Sequence, residues 1–188
     1  ELLGRFAIGD SLGSGGFAVV WRARDNQLHR DVAIKRLLRP ELHLERNQKD
    51  RLLEEARRTV QLGGHQNIVQ VFDVIEEGNE ALLVMEFVPG ETLERICQRH
   101  IREGSWLDQE AAFDYFKQIL QGLVFAHERG WCHRDIKPSN ILVSNLDVVK
   151  LVDFGLAKTL DELRKQVTLE AGGCAWSGTM DFMSPEQA

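Results

Sequence analysis

A chain of 188 residues, 43% hydrophobic and 28% charged, is sized for one ordinary soluble domain or two small lobes, and its net charge of −6 argues against nucleic acid as the main partner. Its longest apolar runs, such as residues 81–85, are far too short to cross a bilayer, and no basic region followed by an apolar run opens the chain, so neither a membrane segment nor a secretory signal is expected. Three scattered cysteines, Cys97, Cys132 and Cys174, read as reduced thiols of a cytoplasmic protein. Cys97 with His100, and Cys132 with His133, resemble metal pairs only in part; without a complete four-ligand set, helix packing and loop structure account for them better.

In chain order, residues 5–24 read as two strands joined by a glycine turn, Gly13-Ser14-Gly15-Gly16. Gly13 and Gly15 remove side chains where a backbone must come close to phosphates. A β-prone run, Val19-Val20-Trp21, follows the glycines, which excludes the dinucleotide-binding turn, where a helix is required. Val32-Ala33-Ile34-Lys35 reads as a short strand ending in an ammonium group. Residues 40 to about 50 are polar and irregular, and a helix is expected from there to Leu62, with Leu52, Leu53, Ala56, Val60 and Leu62 as its apolar stripe and Gly63-Gly64 as its stop. Two further strands, ending near Val74 and covering 81–86 around a turn at 77–79, complete a five-stranded antiparallel sheet with one helix.

The cluster Phe87-Val88-Pro89-Gly90 marks a boundary, because the pattern turns from strand-rich to helix-rich there. The expected division is a first lobe over 1–87 and a second over 88–188. Thr92 caps a helix from 93 to about 100, and Asp108 caps a long helix ending near Arg129, with Gly130 as stop. The long helix is expected to bury Ala112, Phe116, Ile119, Leu123 and His127, the last as a packed imidazole. Residues 141–143 and 148–152 form a β-hairpin turning at Asn145, which would hold Asn140 and Asp153 at its two ends. Residues 156–183 carry few periodic signals and read as a loop.

The chemistry concentrates in His133-Arg134-Asp135-Ile136-Lys137-Pro138-Ser139-Asn140. Asp135 can accept a proton, Lys137 can neutralise a transferring anion, and Asn140 offers a neutral oxygen to a hard cation such as Mg²⁺. Asp153-Phe154-Gly155 follows with a second hard-cation ligand. A base, a cation and a pair of oxygen ligands suit phosphoryl transfer, in which positioning and charge neutralisation do nearly all the work.

This loop closely resembles the catalytic loop of protein kinases, and Asp153-Phe154-Gly155 resembles their metal-binding triplet. The other pieces occur in family order: the glycine hairpin (with Ala18 at the family's third glycine), Val32-Ala33-Ile34-Lys35, the hinge near residue 87, and Ser184-Pro185-Glu186, similar to the family's Ala-Pro-Glu. Lys137, two positions after Asp135, marks the serine/threonine branch, and the wording looks most like the bacterial serine/threonine kinases of eukaryotic type.

The resemblance implies an α+β, bilobal protein-kinase-like fold, with a five-stranded antiparallel sheet and one helix in the N-lobe and a mainly helical, incomplete C-lobe. It implies ATP and Mg²⁺ as cofactors and serine or threonine hydroxyls of protein substrates as acceptors. Asp135, Lys137, Lys35 and Glu55 are the implied catalytic set, with Glu54 as the fallback for Glu55 and Thr59 where the family usually has an apolar residue. Leu12, Gly13, Ser14, Gly15, Gly16, Val20, Ala33, Lys35, Met85, Glu86, Val88 and Leu142 would contact the nucleotide, and Asn140 and Asp153 the metal. Arg134 beside Asp135 implies activation by phosphorylation, including self-phosphorylation, at Thr168 or Ser177, with Thr179 reserved for substrate docking. A complete kinase carries more helices after the Ser-Pro-Glu segment, so apolar surface on the 108–129 helix is expected to be exposed. The contrasting reading is a non-catalytic nucleotide-binding or scaffold module; a small-molecule kinase is disfavoured by Ser184-Pro185-Glu186.

Overall fold

Two alternating apolar patterns build the first part of the molecule. A computed structural model of the chain describes residues 4–14, 19–38, 46–77 and 80–154. Gly15, Gly16, Gly155, Thr168, Ser177, Thr179 and Ser184-Pro185-Glu186 lie outside the described residues. The chain divides into two compact units, Glu1–Gly63 with Gln70–Val88, and Gly64–Val69 with Pro89–Ala188. The short stretch Gly64–Val69 thus groups with the second unit, although a single cut near residue 87 assigned it to the first.

In the first unit, β1 (Phe6–Ser14), β2 (Val19–Asp25), β3 (Arg30–Leu38), β4 (Val71–Glu77) and β5 (Glu80–Glu86) form a five-stranded sheet in the order β1-β2-β3-β5-β4. All four pairings are antiparallel, as expected from the sequence. Period-two alternation sends Phe6, Ala23, Val32, Ile34, Leu82 and Val84 to one face, where they form a closed core with Phe72 and Ile75 against it. Each fully buried side chain of this kind contributes about 1.5–3 kcal/mol. The opposite parity carries Val20, Ala33, Lys35, Leu83 and Met85, since Val20 and Leu83 pair with Lys35 and Met85 pairs with Ala33.

Among the described residues, the single helix of this unit, α1 (Arg46–Gln61), packs on β4. It starts at Arg46 rather than near Asp50, because its first turn, Arg46-Asn47-Gln48-Lys49, has no apolar residue to reveal the period. Leu53, Ala56 and Leu62 are buried as expected, whereas Val60 is 37% exposed and Thr59 is buried in its place. The Thr59 hydroxyl makes burial possible by donating to the Ala56 carbonyl at 2.6 Å.

Arg5 and Asp25 clip the start of β1 to the end of β2. Asp25 is fully buried, and its carboxylate accepts from Arg5 Nε at 3.1 Å and Nη2 at 2.7 Å, and from the backbone N–H groups of Gln27 and Leu28. The Arg5 hydrogen bond outweighs the cost of burial and pulls the Asp25 pKa down to about 2. A carboxyl depressed in the folded state adds stability above its unfolded pKa of about 4, and that stability drains away as pH falls toward about 2. Asp25→Asn is therefore expected to lose stability at neutral pH and to flatten the acid limb of a urea-unfolding profile. An unchanged acid limb would remove Asp25 from this role.

The second unit contains β6 (Gly90–Thr92), α2 (Leu93–Glu103), α3 (Gln109–His127), a 3₁₀ turn (Pro138–Asn140), β7 (Ile141–Ser144) and β8 (Val149–Leu151). The caps follow the sequence: Thr92 Oγ1 accepts from Arg95 N at 3.2 Å, α2 ends on Gly104 at φ 64°, and the Asp108 carboxylate accepts from Ala111 N at 3.1 Å. The hairpin of β7 and β8 forms as expected, but β6 adds a third strand that the breaker residues Pro89-Gly90 had concealed. Gly90 is required there, because a Cβ on it would sit 2.0 Å from the Val143 carbonyl oxygen and 2.7 Å from the Ser144 Cα. Gly90→Ala is expected to push β6 off β7 and to cost about 1–3 kcal/mol in denaturant unfolding. Wild-type stability in that variant would contradict the close approach.

The long helix α3 buries a different stripe from the expected one. Tyr115, Gly122 and Ala126 face inward, while Ala112, Phe116 and His127 are exposed and Ile119 and Leu123 are half-buried. A Cβ at Gly122 would meet the Asn67 carbonyl oxygen at 3.0 Å and Leu151 Cδ1 at 3.1 Å, so the helix packs through its glycine. Phe113, Phe116, Leu120 and Val124 form an exposed apolar face. Among the described residues, no helix is long and apolar enough to cross a membrane.

Candidate active site

Pro138 opens a single 3₁₀ turn, closed by Asn140 N donating to the Lys137 carbonyl at 2.9 Å. That turn swings the Asn140 carboxamide back over Asp135. Asn140 Nδ2 donates to the Asp135 carbonyl and to Asp135 Oδ2, both at 2.8 Å. Lys137 Nζ lies 2.8 Å from the same Oδ2. Asp135, Lys137 and Asn140 are thus in direct contact. Because Nδ2 uses its protons on Asp135, the amide orientation is decided and Oδ1 faces away from that carboxylate.

The hairpin then brings Asp153 to the same place. Val152 N donates to the Asn140 carbonyl at 3.1 Å, which sets the residue before Asp153 against Asn140. His133, buried beneath the loop, makes the second link. Its Nδ1 accepts from Asp135 N at 3.3 Å, so Nε2 carries the proton and donates to the Val152 carbonyl at 2.8 Å. Burial holds the His133 pKa below the ordinary imidazole value, against the smaller opposing pull of the Val152 bond, so the ring stays neutral. The Phe154 ring meets it edge-on at 4.5 Å between centroids. Arg134 and Asp153 both adopt φ 67°, the left-handed region that non-glycine residues rarely enter. Backbone strain of this kind persists only where the surroundings hold it, here next to the two residues that His133 ties together.

The first unit carries the other candidates. Lys35, Ala33 and Met85 are each 6–7% exposed and share the sheet face that also bears Val20. Gly13 pairs with Val20, and Ser14 with Val19, at the end of the β1–β2 ladder. A Cβ at Gly13 would meet nothing within 4 Å, so open space lies beside it. Leu12 is exposed and Val88 is buried. Glu86 commits its N–H to the Gln70 carbonyl at 2.8 Å, so of its two backbone groups only the carbonyl is a candidate for a base edge. On α1, Glu54 is exposed and accepts from Arg58 at 2.6 Å, whereas Glu55 is half-buried on the side of Thr59. Leu142, in the second unit, lies between Thr92 and Lys150 in the three-stranded sheet.

Sequence reasoning passed over three residues. His133 reads from the sequence as part of the loop and of a partial metal pair with Cys132, although a buried imidazole two residues before a carboxylate can bridge backbone segments. Neither Asn67 nor Gln118 was singled out. Gly122, a glycine inside a helical pattern, was the available signal that something approaches α3 closely.

Comparison with known proteins bears on this arrangement. The family model "Protein kinase domain" matches residues 6–187. A probable serine/threonine-protein kinase of Clostridium acetobutylicum is 37% identical over 187 residues, covering 100% of this chain and 27% of its own length. The serine/threonine-protein kinase PknB of Mycolicibacterium smegmatis is 38% identical over 192 residues, covering 100% of this chain and 29% of its own. A probable serine/threonine-protein kinase of Corynebacterium efficiens is 37% identical over 188 residues, covering 98% of this chain and 27% of its own. The chain therefore spans less than a third of the length of these curated relatives. With the family match running through both units, from β1 past Asp153, the chain belongs to the protein kinase domain family.

Proposed function

We propose that the chain is the catalytic part of an ATP-dependent serine/threonine-protein kinase. A serine or threonine oxygen of a protein substrate attacks the γ-phosphorus of ATP. The bond to the β–γ bridging oxygen breaks, ADP leaves, and the hydroxyl proton passes to Asp135. Residues 1–87 would supply most of the nucleotide contacts and residues 88–188 the base and the metal ligands.

The observation that carries this reading is the convergence on Asp135. Lys137 and Asn140 both engage its Oδ2, so Oδ1 is the oxygen positioned to take the substrate proton. Lys137, held at 2.8 Å from Asp135, would neutralise the phosphoryl group in transfer. Lys35, oriented by Glu55, would anchor the α- and β-phosphates, and Val20, Ala33, Met85 and Leu142 would enclose the adenine.

The donor set fits Mg²⁺. Asn140 offers a carboxamide oxygen turned away from Asp135 and Asp153 a carboxylate, joined through the Val152–Asn140 backbone bond. Two hard oxygen donors suit an ion that prefers one or two protein ligands completed by phosphates and water. When bound, the ion supplies neutralisation of the phosphate charge. A cytoplasmic location is supported by the need for ATP and by the free thiols of Cys97 and Cys132.

The test is transfer of label from γ-labelled ATP to a protein acceptor, with Mg²⁺ present. Acid-stable phosphoserine or phosphothreonine is expected, on the acceptor and on Thr168 or Ser177 of the chain itself. Mg²⁺-dependent nucleotide binding without any transfer would overturn the reading in favour of a non-catalytic nucleotide-binding or scaffold module.

A further inference from the structure

The strand that delivers Asp153 is only three residues long; its outer edge is held at Leu151 by a parallel backbone bridge to Ile68 and at Val149 by side chains. In the hairpin, Ser144 N bonds the Val148 carbonyl and Val152 N bonds the Asn140 carbonyl. With that phasing, the N–H and C=O groups of Val149 and Leu151 point away from β7. All four are taken up, and none by a neighbouring strand of the sheet. Val149 N donates to Gln118 Oε1 at 2.8 Å, and the Val149 carbonyl accepts from Asn67 Nδ2 at 2.9 Å. Leu151 N donates to the Asn67 carbonyl, and Val69 N to the Leu151 carbonyl, both at 2.9 Å.

Gln118 is the hub of this edge. Its Oε1 accepts a second bond from Asn67 Nδ2 at 3.0 Å, and its Nε2 donates to the Asp147 carbonyl at 3.0 Å and to Asp114 Oδ2 at 2.6 Å. Both orientations are determined, because every neighbour of Nε2 accepts and the neighbours of Oε1 donate. Asn67 is fully buried, and its Oδ1 has no hydrogen-bond partner among the described residues. Leaving a buried carbonyl oxygen unpaired is costly, so this amide is arranged for β8 rather than for its own satisfaction. Alongside, Tyr115 donates to Asp147 Oδ1 at 2.7 Å, fixing the turn that enters β8. The glycine at 122 lets α3 come close enough for this helix side chain to serve as a strand partner.

We propose that Gln118, acting with Asn67, is a positioning residue for Asp153. By supplying the partners of Val149, where the backbone bridge at Ile68–Leu151 does not reach, it sets the level of β8 and, through Val152, the position of the Asp153 carboxylate. The inference rests on the reading of Asp153 as a Mg²⁺ ligand. Outer partners of this kind change metal affinity or activity by about 10–100-fold when removed.

The experiment uses Gln118→Met, which removes the acceptor from Val149 N. Two quantities are read well below the melting temperature: amide exchange at Val149 without Mg²⁺ or nucleotide, and the Mg²⁺ concentration that half-saturates ATP binding. Gln118→Met is expected to speed Val149 exchange and to raise the Mg²⁺ requirement, each by about 10-fold or more, with Mg²⁺-free nucleotide affinity unchanged. A Gln118→Met protein with a wild-type Mg²⁺ requirement overturns the proposal, whatever its melting temperature. If Gln118→Met does not fold, the wild-type protein decides: Mg²⁺-ATP should slow exchange at Val149 and Leu151, and no slowing overturns the proposal. Failure of the underlying reading is separate and visible, since wild-type protein would then show no Mg²⁺-dependent nucleotide binding at all.

Discussion

Asp135→Asn is expected to bind ATP with near wild-type affinity and to lose phosphoryl transfer by about 10²-fold or more. The substitution is close to isosteric, and an asparagine oxygen can still accept from Asn140 Nδ2, which now bonds Asp135 Oδ2 at 2.8 Å. Backbone contacts of the loop, including Asn140 Nδ2 to the Asp135 carbonyl, do not depend on the carboxylate. What disappears is the second oxygen able to take a proton, together with the negative charge that holds Lys137 Nζ at 2.8 Å. The nucleotide candidates on the first unit's sheet are untouched, so binding should survive. Single-turnover transfer measured beside equilibrium ATP binding separates the two effects. Transfer at the wild-type rate would show that Asp135 is not the base.

Asp153→Asn is expected to cut transfer by about 10²–10³-fold and to raise the Mg²⁺ concentration needed for ATP binding. Asparagine is the informative replacement because Asp153 sits at φ 67°, where Asn and Asp are tolerated and alanine would add strain. Folding should therefore be preserved, and with it the His133–Val152 bond that fixes the preceding residue. What is lost is one negative charge at the residue after Val152, whose N–H bonds the Asn140 carbonyl. A magnesium titration of nucleotide binding, with circular dichroism as the folding control, reads the effect. An unchanged titration would take Asp153 out of the metal site.

Much of the fold was legible because its determinants are local. Alternation in β3 and β5, the Thr92 and Asp108 caps and the Gly104 stop each depend on residues within a few positions of one another. The loop 133–140 was legible for the same reason: Pro138 forces a turn, and the turn throws Asn140 back onto Asp135. The buried stripe of α3 was not. That helix carries apolar residues on two faces, and periodicity weighs both alike. The face with Gly122 packs because the backbone of Asn67 comes within reach of its missing side chain. Strand β6 was hidden likewise, since Pro89-Gly90 signals a break unless one knows that Val143 lies too close for any side chain.

By itself, then, the amino-acid order determined the strands of the first unit, the helix caps and the short loop that sets Lys137 and Asn140 against Asp135, because short-range sterics and hydrogen bonding suffice for these. Only the tertiary structure decided that His133 is a neutral bridge between Asp135 and Val152, that Thr59 and not Val60 is buried, and that Asn67 and Gln118 complete the edge of β8. Those outcomes depend on partners distant in sequence: Gln118 and Val149 are 31 positions apart and Asn67 and Val149 are 82 apart. No local propensity encodes which buried N–H a distant amide will meet, because that choice is made by packing.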